Sequence, residues 1–144
     1  MPAFGASKPP LACWLVKSEP ATWSWRQHME VETAAWDGVR NHQATRYLKA
    51  MQSGDRAFFH HTGAECRIMG IIEVSRPYYP DPSDPSGRFG MVDFKVLYPL
   101  SRPVTLADIK ADKRLGHIAL VRQPRLSVVP IDPDAWRMIC AAGS

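Results

Sequence analysis

The sequence has 144 residues, of which 45% are hydrophobic and 22% are charged, and its formal net charge is +4. This size and apolar content suit one folded domain and exclude a disordered chain. No apolar run is long enough to cross a bilayer, and residues 1–10 lack the pattern of a secretory signal. We therefore expect an intracellular monomer, cytoplasmic or (in a eukaryote) nuclear, with a flexible tail over 1–11 and a single domain over 12–144.

Apolar runs and capping signals predict the elements of the first half of the chain. Ser24 and Gln27 have the spacing of a capping box, which predicts the start of a short helix that ends by Glu32. Asn41 is well placed as the N-cap of a second helix, which carries an apolar stripe at helical spacing. That helix is predicted over 43–51, and strands are predicted over 12–17, 56–61 and 68–74. Gly70, inside the third strand, indicates a bulge or a close approach of another group.

The second half of the chain combines a proline-rich segment with further strands. Pro77 opens a predicted loop that runs to Gly90. Residues 91–98 alternate apolar and polar side chains, as a strand with one buried face does. A further short strand is predicted over 126–129.

Two more capping signals predict helices near the end of the chain. Thr105 with Asp108 has the form of a capping box, and Asp132 ahead of Pro133 is typical of a helix start. Several mainly antiparallel strands with short helices between them indicate an α+β fold. A small mixed β-barrel, partly open and with peripheral helices, buries such strands without a bare edge, and we predict that architecture.

The cysteines and histidines do not indicate a metal site or a disulfide framework. Cys13, Cys66 and Cys140 are odd in number and widely spaced, which favours buried free thiols. His60 and His61 are adjacent on a predicted strand, so their side chains point to opposite faces and cannot hold one metal ion. We therefore predict neither a metal nor a cofactor.

The motifs of common enzyme classes are missing from the sequence. It contains no phosphate-binding loop, no dinucleotide fingerprint, no zinc-protease motif and no nucleophile elbow. Lys17, Ser18 and Glu19, together with a histidine, supply residue types that a hydrolase can use. A nucleophile needs a base within hydrogen-bond reach, however, and the sequence gives no such geometry.

The stretch from Trp36 to Asn41 concentrates groups that can bind a planar ligand. It holds an indole, a carboxylate, a glycine, a guanidinium and an amide within six residues. Proteins read flipped or single-stranded bases by stacking them on aromatic rings and holding their edges with hydrogen bonds. Packing in the core is the more common role of such a tryptophan, and it stays open. From Ser101 to Leu126, six cations against two anions fit a nucleic-acid partner.

Several separate motifs occur in one order along the chain. They are Lys17-Ser18-Glu19-Pro20, Trp36-Asp37-Gly38-Val39-Arg40-Asn41, Phe58-Phe59-His60-His61, Tyr79-Pro80-Asp81-Pro82, Leu120-Val121-Arg122 and Arg125-Leu126-Ser127-Val128. Together they resemble the EVE domain family from Ala12 to Ile139. The resemblance implies a PUA-like fold, similar to the YTH domains that hold N6-methyladenine in an aromatic cage. It also implies a non-catalytic module that reads a modified base, chiefly modified cytosine in DNA, with RNA as the alternative.

By position, the resemblance implies a base-binding pocket and a phosphate-binding surface. The implied base-binding residues are Ser18, Glu19, Trp36, Val39, Arg40, Asn41, His60, Tyr79, Pro80 and Asp81. The implied backbone and phosphate contacts are Lys17, Arg102, Arg122 and Arg125. In this hypothesis Trp36 or a loop aromatic stacks on the base, while Ser18, Asn41 and Asp81 address its polar edge. The implied partner is a nucleic acid that carries a modified base, without a metal, a cofactor or a membrane.

The chain departs from the family pattern at two places, and two other functions stay open. The segment 83–90 is shorter than in many members, which implies a smaller binding surface, and His61 stands where many have a serine. A small hydrolase of modified nucleosides would use Lys17 and Glu19 as an acid/base pair in the same cavity. A protein-interaction domain is the other alternative, and the charge bias of the basic segment argues against it.

Overall fold

The computed structural model describes residues 11–144, which contain six strands and five α-helices. The strands are β1 (Cys13–Ser18), β2 (Thr33–Ala35), β3 (Arg56–His61), β4 (Arg67–Pro80), β5 (Gly90–Thr105) and β6 (Val128–Ile131). The helices are α1 (Trp25–Val31), α2 (His42–Ala50), α3 (Leu106–Ala111), α4 (Ala119–Arg122) and α5 (Pro133–Ala142). A 3-10 turn, Lys113–Leu115, lies between α3 and α4. The predicted tail lies outside the described residues except for Leu11, which is exposed.

The strands form one open sheet in the order β2-β5-β4-β3-β1-β6. Neighbouring strands are antiparallel except β1 and β3, which run parallel. The α+β prediction is confirmed. The predicted barrel is not confirmed, because the outer strands β2 and β6 are not paired with each other. Within 11–144, no helix is long and apolar enough to span a membrane.

The strands β4 and β5 are much longer than predicted and form the central hairpin of the sheet. The segment from Pro77 to Pro80 was predicted as loop, but it continues β4 and ends opposite Gly90. A Cβ atom on Gly90 would lie 2.4 Å from the ring of Tyr78, so glycine allows the aromatic side chain to cross the strand here. Likewise β5 runs past residue 98 to Thr105, where it pairs with the start of β4.

The helix starts were predicted well, because capping depends on neighbours in the sequence. The Ser24 hydroxyl accepts a hydrogen bond from the Gln27 amide at 3.1 Å, and the Gln27 side chain accepts one from the Ser24 amide at 2.8 Å. Asn41 caps α2 through the Ala44 amide at 2.9 Å. The capping box at α3 and the Asp132 cap of α5 are also present.

Aromatic side chains fill the core on both faces of the sheet. Phe58 and Phe59 are neighbours on β3 and point to opposite faces. Phe58 stacks on Trp136 of α5 with ring centroids 3.9 Å apart. Phe59 meets Trp25 and Trp36 edge-on, both at 5.4 Å. The second face therefore carries the tryptophans that lead to the candidate site.

Gly70 is a close-approach position, as predicted. A Cβ atom there would lie 2.4 Å from the six-membered ring of Trp25, which is the first residue of α1. The absence of a side chain lets Trp25 lie directly on β4. The register of β4 against β5 also shifts between Ile68 and Gly70.

Candidate functional site

A cavity of about 380 Å³ opens where the end of β1 meets β2 and the segment after it. Its lining residues come from three short stretches: Lys17, Ser18, Thr22, Trp23, Ala34, Ala35, Trp36 and Asp37. This volume lies within the range of small-molecule sites, about 300–1,000 Å³. Two indoles and a carboxylate line it, so it has the size and the chemistry for a planar polar ligand.

Trp36 belongs both to the core and to the cavity. Its amide donates to the Val92 carbonyl at 2.7 Å, which fixes the backbone beside β5. Its ring packs edge-on against Phe59 and Phe94, and only 7% of the residue is exposed. Within residues 11–144 the indole N–H has no hydrogen-bond partner. Trp36 therefore lines the cavity with only a narrow exposed part of the residue.

Trp23 is a second aromatic lining residue, and the predicted site did not include it. It lies in the turn after β1, where its amide donates to the Glu19 carbonyl at 2.9 Å. The Ser18 hydroxyl donates to the Trp23 carbonyl, so Ser18 holds the turn as well as lining the cavity. The Trp23 indole N–H donates to Nδ1 of the buried His28 at 3.1 Å. Trp23 is half-buried and has its only side-chain donor already in use.

Asp81 and Arg40, two of the predicted base contacts, bind each other and hold the segment after Trp36 in place. The Asp81 carboxylate accepts from the Gly38 amide at 2.8 Å, from the Arg40 guanidinium at 3.3 Å and from Ser83. Gly38 has a φ of +77°, a conformation that favours glycine. Burial would raise the pKa of Asp81, but its donors from Ser83, Gly38 and Arg40 outweigh burial and lower the pKa to about 2.

Asn41 and Arg125 line a second cleft, of about 420 Å³. The remaining lining residues of this cleft are Gln43, Gln123, Pro124 and Leu126. Lys17 connects the two sites, since it lines the first cavity while its ammonium donates to the Pro124 carbonyl at 2.7 Å. Burial lowers the pKa of Lys17. The structure thus places Asn41 beside the first cavity and not in it.

Several other predicted site residues lie away from the first cavity. Val39 is in the core, and the Glu19 carboxylate accepts from the Thr62 hydroxyl at 3.2 Å. Tyr79 donates to the Asp93 carboxylate on the β4–β5 hairpin, where Pro80 ends β4. Lys17 and Glu19 use their charged groups on different neighbours, so the acid/base pair of the hydrolase alternative is not assembled.

His60 is a core residue on β3, directly opposite Lys17 of β1. It is 2% exposed, and neither ring nitrogen has a hydrogen-bond partner in the described part of the chain. Burial, with smaller contributions from Lys17 and His61, lowers the pKa of His60 to about 4. His61 points to the other face, where Nε2 accepts from the Trp25 amide at 3.0 Å. The structure therefore does not place His60 among the residues that line the cavity.

The basic segment provides fewer free cations than its composition suggested. The Arg122 guanidinium donates to the Gly116 carbonyl, and that of Arg102 donates to the Ala142 carbonyl, both at 2.9 Å. Arg114 pairs with Asp112 at 2.7 Å. Of the four predicted phosphate contacts, only Arg125 lines the second cleft and only Lys17 lines the first cavity.

The described residues contain no cluster of three or more side chains that would suit a metal ion. The three cysteines, Cys13, Cys66 and Cys140, are free, as predicted, but they are half-buried and not fully buried. Burial raises the pKa of the Cys13 and Cys140 thiols, which makes them poor nucleophiles.

Comparison with known proteins shows which family this chain belongs to. Residues 12–142, nearly the whole chain, match the EVE domain family. The chain belongs to the EVE domain family. The resemblance seen in the sequence motifs is therefore confirmed.

Relatives of this EVE domain occur in bacteria and in animals. An NMR structure of a Rhodopseudomonas palustris protein is 48% identical, with a TM-score of 0.88, over 92% of this chain and 93% of that one. Human thymocyte nuclear protein 1 is 30% identical over 161 residues, which cover 88% of this chain and 71% of the human protein. That alignment is longer than this chain, so the human protein carries extra residues inside the shared region.

A crystal structure of human THYN1 protein in complex with DNA that contains 5-methylcytosine has the same fold. It is 27% identical to this chain, with a TM-score of 0.87, and the match covers 92% of this chain and 98% of that one. The human protein in that crystal thus combines this fold with bound DNA that contains 5-methylcytosine.

Proposed function

We propose that this EVE domain is a non-catalytic module that binds DNA carrying a modified cytosine and holds that base in the cavity between Trp23 and Trp36. The observation that carries the proposal is the similarity to human THYN1 protein bound to 5-methylcytosine DNA, together with an aromatic cavity of suitable size in this chain. Cavity binding requires the base to leave the stack, as base-flipping proteins arrange.

The chemistry of the lining gives each residue a role in this proposal. Trp23 offers a ring for stacking, because its N–H is already used. The N–H of Trp36, without a partner among residues 11–144, is the proposed donor to the O2 or N3 edge of the base. Asp37 is exposed and lines the cavity, and a carboxylate there can accept a hydrogen bond from the exocyclic amine of cytosine. Asp37 was not among the predicted site residues.

The second cleft extends the proposed interface along the strand. Arg125 and the amides of Asn41 and Gln123 face it, and Lys17 lies between the cleft and the cavity. Phosphate contacts supply most non-specific affinity and make it depend on salt. We therefore expect affinity for any duplex to fall with salt, whereas the preference for the modified base depends on the cavity.

Two substitutions in the cavity test the proposal. Asp37→Ala removes the acceptor of an exposed side chain, and Trp36→Phe removes the indole N–H while keeping a ring. Fluorescence anisotropy would measure binding to duplexes that differ only in carrying 5-methylcytosine or cytosine, at several salt concentrations. Each variant should lose about two- to tenfold in affinity for the methylated duplex, the worth of one hydrogen bond. Trp136→Phe, which alters the stack on Phe58, is the matched control and should bind normally.

Equal binding of the two duplexes by the wild-type protein would contradict the proposal. A matched RNA set separates DNA from RNA binding in the same assay. Mass spectrometry of the oligonucleotides after incubation tests the non-catalytic part, since any change in base mass would show turnover.

A further inference from the structure

We propose that His28 is a positioning residue for the aromatic cavity: its imidazole, held in one tautomer, fixes Trp23 and supports Trp36. This inference rests on the proposed function, since it concerns the cavity that would hold the base. His28 does not line the cavity itself. It lies on α1 and is completely buried.

The hydrogen bonds of His28 define its tautomer. The Trp23 indole N–H can only donate, so Nδ1 of His28, 3.1 Å away, must be the acceptor. The Phe94 carbonyl can only accept, so Nε2, 2.8 Å away, must carry the proton. The ring is therefore neutral with the proton on Nε2. Burial lowers the pKa of His28, which favours the same neutral form.

His28 contacts both aromatic walls, which come from different segments of the chain. Its ring centroid lies 5.8 Å from that of Trp23, with the rings nearly perpendicular, and 6.2 Å from that of Trp36. Phe94, whose carbonyl holds the imidazole, also packs against Trp36 at 5.6 Å. One buried ring thus links the turn after β1, the segment after β2 and the long strand β5.

The tautomer has a consequence for what the cavity can recognise. With its N–H donated inward to His28, Trp23 has no polar group left for a ligand and presents only its ring. The Trp36 N–H has no partner among residues 11–144, so in the proposed function it is the donor. A cavity with one stacking wall and one donor wall suits a planar base better than one with two loose indoles, because fewer orientations satisfy it.

Two amide substitutions separate the two hydrogen bonds of His28. In His28→Asn the amide oxygen stands near the Nδ1 position, so the acceptor for Trp23 is kept. In His28→Gln the amide nitrogen stands near the Nε2 position, so the donor to Phe94 is kept and the acceptor for Trp23 is lost. Both variants lose the ring, so a general effect of disturbing the core is common to them.

The first readout needs no ligand. In a two-dimensional nitrogen–proton NMR spectrum, the indole N–H signal of Trp23 is identified by its loss in Trp23→Phe. It should shift strongly upfield in His28→Gln and stay near its wild-type position in His28→Asn. The second readout is binding to the 5-methylcytosine duplex, which should weaken about fivefold more in His28→Gln than in His28→Asn.

Trp23→Phe, as a third variant, removes the same hydrogen bond from the half-buried side and leaves His28 in place. Because both His28 variants also lose the ring, adding His28→Gln to Trp23→Phe should weaken binding no more than adding His28→Asn does. The inference is overturned if the Trp23 signal moves equally in both His28 variants. It is also overturned if the loss of binding in the two variants simply follows the loss in their melting temperatures. If the wild-type protein shows no preference for the modified base, the proposed function fails, whereas the NMR readout still decides whether His28 positions Trp23.

Discussion

Replacing His60 with leucine should stabilise the protein and flatten the dependence of its stability on pH. His60 is 2% exposed, and neither of its ring nitrogens has a hydrogen-bond partner among residues 11–144. A buried polar group without a partner costs about 1–3 kcal/mol. Leucine has a similar size and no polar atom, so the variant should gain about that free energy of unfolding at about pH 7.5.

The pH effect follows from the pKa of His60, which burial lowers from 6.5 to about 4. The unfolded chain binds the proton more tightly than the folded protein, so protonation of His60 favours unfolding. The free energy of unfolding is therefore at its full value above pH 6.5 and falls as the pH drops from 6.5 toward 4. Each pKa unit corresponds to about 1.4 kcal/mol. Between about pH 7.5 and 4.5 the wild-type protein should therefore lose about 2.5 kcal/mol through this residue alone.

Urea unfolding followed by circular dichroism, at steps from about pH 7.5 to 4.5, measures both effects. The other histidines are common to the two proteins, so their titration cancels in the difference. The difference between wild type and His60→Leu should grow by about 2–3 kcal/mol toward acid. His42→Gln, at an exposed position, is the control and should run parallel to the wild type. Parallel curves for His60→Leu, or a less stable leucine variant at neutral pH, would refute the reasoning.

Two further substitutions test how the fold supports the cavity. Asp81→Asn removes the charge that holds Gly38 and Arg40 and should cost about 2 kcal/mol at neutral pH. Because the pKa of Asp81 is lowered from 3.8 to about 2, this cost should shrink as the pH falls from about 5 toward 2, and a pH-independent cost in urea titrations would contradict it. Gly70→Ala puts a methyl group 2.4 Å from the Trp25 ring, and this overpacking should lower the free energy of unfolding by about 1–3 kcal/mol. The measurement is the melting temperature, which should fall; an unchanged melting temperature would show that Trp25 moves freely.

Local signals in the sequence predicted the helix starts, whereas pairing across the sheet decided the strand ends. The Ser24 and Asn41 caps depend on residues three positions away, so the sequence contains all the information. The strand β2 has only three residues and no alternation. It exists because Ala34 lies opposite Phe94 of β5, sixty positions later in the chain. Two lining residues of the cavity, Ala34 and Ala35, were missed for that reason.

Trp23 was missed for a different reason, although it stands only a few residues after Ser18. Its position in the cavity depends on hydrogen bonds from Ser18 to its carbonyl and from its indole to His28. Neither contact has a sequence pattern of its own. The burial of His60 was not predictable from the sequence, because a strand residue can face either a cavity or the core, and only the packing of the opposite elements decides which.

The stretch from Trp36 to Asn41 uses most of its polar groups within the protein. Of its residues, only Trp36 and Asp37 line the cavity. Gly38 and Arg40 bind Asp81, and Asn41 caps α2, so their polar groups are satisfied within the protein. These bonds fix the backbone on which Trp36 is held, while His28 fixes Trp23 on the opposite side. In the proposed function these bonds hold the aromatic walls in place before the base arrives, and a preorganised site loses less entropy when the ligand enters.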